Sequence, residues 1–141
     1  MAANDDRPGG PGPGEAGRGE MEAEHQVQVS LVYALRQAVS AGQEENAREI
    51  LERLTAYSKM HFASEQLLMR LYQYDDYAGH VAEHEQMIEA LESLDGEKDG
   101  QEGFGRWIDA LDASIVRHIR GADRALGRYL AGFARNSDQG R

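Results

Sequence analysis

From Met21 to about Ala134 apolar residues recur at intervals of three and four and no proline interrupts the chain, which predicts a body made wholly of helices. Met21, His25, Val29, Val32, Leu35 and Val39 mark the inner stripe of a first helix that Ala41-Gly42 ends. A second helix, from about Glu44 to Tyr72, turns Ile50, Leu54, Tyr57, His61, Glu65 and Leu68 inward. Asp75 is the expected N-cap of the third, which buries Tyr77, His80, Val81, His84, Met87, Ile88 and Leu91. The charged, glycine-rich stretch Asp95 to Gly103 reads as a loop. Phe104, Trp107, Ile108, Leu111, Ile115 and His118 then form the stripe of a fourth helix. A short fifth segment, Ala125 to Phe133, is expected to pack across one end. Short connections between long helices favour antiparallel neighbours, so the predicted fold is all-α, an up-down-up-down four-helix bundle with a short C-terminal fifth helix.

The ends differ in composition from this body. The first twenty residues hold all three prolines (Pro8, Pro11, Pro13) and six of the sixteen glycines. Residues 1–20 are therefore expected to be a disordered tail, 21–134 the bundle domain, and 135–141 a disordered C-terminal tail. The N-terminal tail reads as a solvated leader. A role in docking a protein partner is left open, with nothing in it to identify one.

At 141 residues the chain can bury a core without covalent staples, and it has no cysteine. Thiolate zinc sites, iron–sulfur clusters and cysteine nucleophiles are thereby excluded. With 25 acidic against 15 basic residues and a net charge of −10, the surface repels phosphate backbones and anionic lipid, so neither nucleic acid nor membrane is an expected partner. No apolar run approaches the roughly 20 residues of a spanning helix, and the polar N-terminus lacks a secretory signal's hydrophobic core. A cytoplasmic protein is expected.

Against this background the five histidines stand out, because each lies on the apolar stripe of its helix, together with Glu65. One histidine on such a stripe is most often a core imidazole bonded to something local. Five at once, with two acids, would leave many buried polar atoms unpaired at about 1–3 kcal/mol each. Metal coordination removes that cost. His61/Glu65 and His80/His84 are four residues apart and share a helix face. Asp123, five residues after His118, lies roughly 140° away from it on an unbroken helix. Gly121 between them is expected to let the helix end or bend and swing the carboxylate back. Asp123 also fits an N-cap of the fifth segment.

The order His25, His61-x-x-x-Glu65, His80-x-x-x-His84, His118-x-x-x-x-Asp123 along four successive helices resembles the hemerythrin family, bacteriohemerythrins in particular. The resemblance runs from Met21 to about Tyr129 and includes Phe62, Met69, Tyr74 and Ile119 beside the ligand positions. It implies two iron ions with an oxo or hydroxo bridge. His80, His84 and His118 would bind one iron, His25 and His61 the other, and Glu65 and Asp123 would bridge them. Five imidazoles and two bridging carboxylates supply nine bonds, more than one tetrahedral zinc accepts. With the implied solvent bridge, two six-coordinate ions are left with one open position, at the His25/His61 iron.

That vacancy implies reversible binding of dioxygen, for storage, delivery or sensing. The chain departs from the family where Glu22 stands for the usual Asp, Gln28 for an apolar residue and Ser114 for a common Trp, the sole tryptophan being Trp107. The lost indole suggests a more open site and an alternative function, a peroxide- or nitric-oxide-reactive scavenger enzyme. Two other readings fail on the residues. His80-Val-Ala-Glu83-His84 fits the HxxEH pattern of inverted zinc proteases but leaves three histidines unexplained, with Glu83 read as a solvated charge. Ferritin-like di-iron proteins need two ExxH motifs, and only Glu22-Ala-Glu-His25 fits.

Overall fold

The computed structural model describes the backbone of residues 13–93 and 96–139, and every element in it is helical: α1 (Pro13–Ser40), α2 (Glu44–Leu71), α3 (Tyr77–Glu92), α4 (Gly96–His118), a π-helical turn (Ile119–Asp123) and α5 (Arg124–Gln139). Helices α1 to α4 each pack on the next, and α4 closes back on α1, which makes a four-helix bundle.

Two left-handed residues set the first two reversals. At Gly42 (φ 71°) the amide of Gln43 reaches back to the carbonyl of Ala38 at 2.9 Å, which closes α1 in a Schellman-type turn. The same device recurs at Gln73 (φ 53°), where the Tyr74 amide bonds the Met69 carbonyl at 2.9 Å. Here a residue with a Cβ occupies the glycine-favouring region. The turn is held from outside: Tyr129 on α5 donates its hydroxyl to the carbonyls of Tyr72 (2.6 Å) and Gln73 (3.2 Å).

The helices differ from the expected ones at their ends. Helix α1 begins at Pro13, eight residues before Met21, with the proline in the first helical position where its missing N–H costs nothing. The N-terminal part of the expected tail, residues 1–12, lies outside the described residues. Helix α4 begins at Gly96, inside the expected Asp95–Gly103 loop, because Glu97, Lys98, Gln101 and Glu102 are good helix formers that carry the backbone through three glycines costing about 1 kcal/mol each. The residue at the N-cap of α3 is Asp76, not Asp75, and its side chain makes no cap hydrogen bond. Helix α5 continues from α4 through the π turn and packs on α1, with Leu126 and Leu130 against Met21 and Met69, and it runs to Gln139 because neither proline nor glycine occurs from Phe133 until Gly140. The expected C-terminal tail therefore begins inside a helix.

The interior has two apolar clusters. The larger joins Val32, Leu35, Leu54, Phe62, Met87, Leu91, Ile108, Leu111 and Ile115. The smaller joins Met21, Met69, Leu126 and Leu130, with Tyr74 and Tyr129 against it. The histidines lie between the two. Two stripe positions are shifted by one from the expected pattern. Val29 is 40% exposed and Gln28 is inside, while Tyr57 is only partly buried and Ser58 is fully so. Gln28 and Ser58 satisfy each other across the α1–α2 interface, the amide donating to Ser58 Oγ at 2.9 Å. That bond is what permits a glutamine on the core face.

Candidate metal centre

All seven expected residues converge, and all are buried: His25, His61, Glu65, His80, His84, His118 and Asp123. Each imidazole turns its Nε2 inward, and the two carboxylates divide their oxygens between two groups. Glu65 Oε2 lies 3.0 Å from His61 Nε2 and 3.3 Å from His25 Nε2, whereas Oε1 lies 2.8 Å from His84 Nε2 and 3.1 Å from His80 Nε2. Asp123 repeats the division. Its Oδ2 is 2.7 Å from His25 Nε2, and its Oδ1 is 2.9 Å from His80 Nε2 and 3.0 Å from His118 Nε2. The result is two sets of donor atoms, each within 4.8 Å: Glu65, His80, His84, His118 and Asp123 in one, His25, His61, Glu65 and Asp123 in the other. Both carboxylates belong to both sets.

These contacts are too crowded to be read as hydrogen bonds alone. Buried His61 Nε2, His118 Nε2 and Asp123 Oδ2 make no hydrogen bond of acceptable geometry, although each has a partner of complementary charge type within 3.0 Å. Their lone pairs are aimed at shared points rather than at one another. An all-nitrogen-and-oxygen donor set of this kind suits iron, manganese, cobalt or zinc rather than a soft-metal site. The residues fit a pair of such ions.

Asp123 reaches the cluster by a route different from the expected one. The helix neither ends nor breaks at Gly121. Residues 119–123 instead form a π turn, in which the Arg124 amide reaches the Ile119 carbonyl five residues back. One extra residue per turn brings positions five apart onto one face, so His118 and Asp123 both point inward. Gly121 has no left-handed φ, and a Cβ there would meet nothing within 4 Å. Its part is limited to weak helix propensity, which lowers the cost of leaving the α pattern.

Three imidazoles are fixed from behind by residues the sequence reading did not single out for that role. His61 Nδ1 donates to Glu24 Oε1 at 2.7 Å, His118 Nδ1 to Glu83 Oε1 at 3.0 Å, and His84 Nδ1 to Gln66 Oε1 at 3.1 Å. Each bond places the proton on Nδ1 and leaves the Nε2 lone pair facing the cluster. Glu83, expected to be a solvated charge, is thus engaged by an imidazole of the neighbouring helix. Its position at the edge of the α3 stripe was the available signal; Glu24 and Gln66 carried none among so many polar surface residues. Phe62 stacks on His84, with ring centroids 4.1 Å apart and planes at 12°, and closes one wall.

Protonation follows from this crowding in the metal-free chain. Burial alone would lower His25, but the Asp123 and Glu65 carboxylates beside it prevail and raise it to about 9. For His118 burial is again outweighed, by Asp123, Glu65 and Glu83, and the imidazole rises to about 10. Burial is also outweighed at His61, which Glu65 and Glu24 raise, and at His80, which Asp123 and Glu65 raise. His84 goes the other way, lowered by burial and by the neighbouring His118 and His80. Burial would raise the acids, yet the surrounding imidazoles hold Asp123 at about 2 and Glu65 well below the carboxylate range. A buried site that keeps both acids ionised is one built around positive charge.

Comparison with known proteins follows the same lines. The family profile described as the hemerythrin HHE cation binding domain matches residues 17–130. The chain is 26% identical over 118 residues to a bacteriohemerythrin of Methylococcus capsulatus (strain ATCC 33009 / NCIMB 11132 / Bath), an alignment covering 80% of this chain and 88% of the relative. No solved structure matches. Domains of this family bind a di-iron centre, and the buried cluster of five imidazoles and two shared carboxylates is consistent with one. A profile match over most of the body, on a bundle that brings the seven residues together, establishes that the chain belongs to the hemerythrin family.

Proposed function

We propose that this chain holds two iron ions and binds dioxygen reversibly at the less heavily ligated of them. The observation that carries the reading is the unequal division of donors. One set has three imidazoles and two carboxylate oxygens, and the other has two imidazoles and the opposite two oxygens. His80, His84 and His118 would hold one ion, His25 and His61 the other, and Glu65 and Asp123 would bridge them. Reduced iron held there would supply the electrons that dioxygen binding draws on.

The protein's own part is to orient and to exclude. Glu24, Gln66 and Glu83 fix three imidazoles in the tautomer that presents Nε2. Apolar residues of the two clusters, Phe62 and Ile115 in one and Met69 and Leu126 in the other, limit the access of bulk water to the donors. Storage, delivery and sensing all use such a site. The relative's printed name, bacteriohemerythrin, accords with this reading. Among the described residues no helix is long and apolar enough to cross a membrane.

One observation favours a second reading, consumption of peroxide or nitric oxide. A half-open cavity of about 370 Å³ reaches His25 and Asp123 between α1 and the π turn, rimmed by Glu22, Arg120, Arg124 and Arg128. It gives small polar molecules a path to the less heavily ligated side. Ser114, expected to open the site, does not line it. The experiment is to reduce the purified protein without oxygen, admit dioxygen, and follow the ligand-to-iron charge-transfer absorption. A band that vanishes on deoxygenation and returns over several cycles supports binding; permanent bleaching after one cycle supports the scavenger.

A further inference from the structure

The Gln28–Ser58 pair is a polar element that the seven-residue centre does not account for. Gln28 is 2% exposed and Ser58 is fully buried, and both face the interior of the bundle. Gln28 stands three residues after His25 on α1, and Ser58 three residues before His61 on α2. Side chains three apart on a helix are neighbours, about 5–6 Å between Cβ atoms, so the pair adjoins both imidazoles of the smaller donor set. Glu65 and Asp123 approach that set from the opposite side, one helical turn before Met69 and Leu126 of the smaller apolar cluster. Beyond the pair lie Val32 and Leu54 of the larger cluster. The amide and hydroxyl are therefore interposed between apolar core and the side of the His25/His61 set that no carboxylate fills.

Burying an amide and a hydroxyl here costs free energy that leucine and alanine would not, unless both are used. The amide has two hydrogens, and among the described residues the bond to Ser58 Oγ is the single hydrogen bond of the Gln28 side chain. That leaves a second N–H on an amide held by Ser58, one helical turn from His25.

We propose that Gln28, held by Ser58, is a positioning donor for a small ligand with a hydrogen-bond-accepting atom, such as dioxygen or azide, at the His25/His61 ion. The inference rests on the di-iron reading above and assigns the polarity of its ligand pocket. Gln28 supplies the hydrogen bond; Ser58 keeps the amide from turning away.

The test uses the full-length protein, iron-loaded and oxidised, with azide as probe, together with the metal-free protein. Gln28→Leu is expected to weaken azide binding about tenfold and to abolish the H2O/D2O sensitivity of the bound azide's infrared stretch, with iron content unchanged. The metal-free double variant Gln28→Leu with Ser58→Ala is expected to melt no lower than the parent, since both members of a desolvated polar pair are then replaced by apolar side chains and neither is left unpaired. Ser58→Ala should weaken azide binding by a smaller factor, and it carries the test by itself should Gln28→Leu not fold. Unchanged azide affinity and isotope sensitivity in both single variants would overturn the proposal, as would a melting temperature of the double variant lowered by several degrees with azide binding per centre intact. If the parent protein takes up no iron, the di-iron reading fails along with it; if iron and azide bind normally whatever stands at 28 and 58, only this inference fails.

Discussion

Glu24 Oε1 lies 2.7 Å from His61 Nδ1, so a carboxylate of α1 fixes an imidazole of α2 from behind. The Glu83 bond to His118 serves the other donor set, but that carboxylate is 49% exposed where Glu24 is 20%. A less exposed bond is worth more. Glu24→Gln is expected to lower iron affinity at the centre by about 10- to 100-fold, and Glu83→Gln by less. Competition with a graded iron chelator measures both.

The metal-free protein has a pH profile that follows from its imidazoles and acids. His25 and His118 are raised from 6.5 to about 9 and about 10, so the folded chain binds more protons than the unfolded one between these values. Stability from them is complete below about pH 6.5 and is lost as pH rises through 9 and 10. Asp123, lowered to about 2, acts oppositely: its contribution is present above about pH 4 and disappears as pH falls through 2. Thermal melts should show the metal-free protein most stable between pH 4 and 6.5 and declining toward pH 10. Metal binding needs neutral imidazoles, so loading at pH 7 should release at least the protons of His25 and His118, seen as buffer-dependent heat in calorimetry.

Gly121→Ala should leave iron content unchanged, because φ there is ordinary and a Cβ meets nothing within 4 Å. Alanine is the better helix former by about 1 kcal/mol, so metal-free stability should hold or rise slightly. Iron analysis with a denaturant melt decides it; loss of iron would mean that the π turn needs glycine after all.

Gln73 spends a non-glycine residue on a left-handed position, φ 53°, between α2 and α3. Tyr129 and the Tyr74 amide bind this turn through backbone atoms, which any residue at 73 keeps. Gln73→Gly is therefore expected to stabilise the protein by up to about 1 kcal/mol, a rise of a few degrees in melting temperature.

The bundle and its seven converging residues were legible because helical periodicity and ligand spacing are local properties of the chain. His61/Glu65 and His80/His84 needed only the four-residue repeat. The misplaced elements depended on competition between near-equal local preferences. Glutamate and lysine outweighed glycine at the start of α4, and a single proline served as a helix start at Pro13 rather than as a break. Gln28 replaced Val29 on the core face because Ser58 supplied its partner from another helix, which no single stripe reveals. Glu24 and Glu83 were hidden for the same reason: their partners lie 37 and 35 residues away. Asp123 lies in the histidine cluster by way of a π turn, a hydrogen-bond pattern that leaves no mark in periodicity.

The central claim is that seven side chains hold two iron ions with unequal donor sets. Quantifying metal per folded chain after anaerobic reconstitution, and resolving the iron environments by Mössbauer spectroscopy, tests it directly. The account predicts two iron ions per chain in two distinct environments of equal weight. A single zinc, or no metal retained, would contradict it.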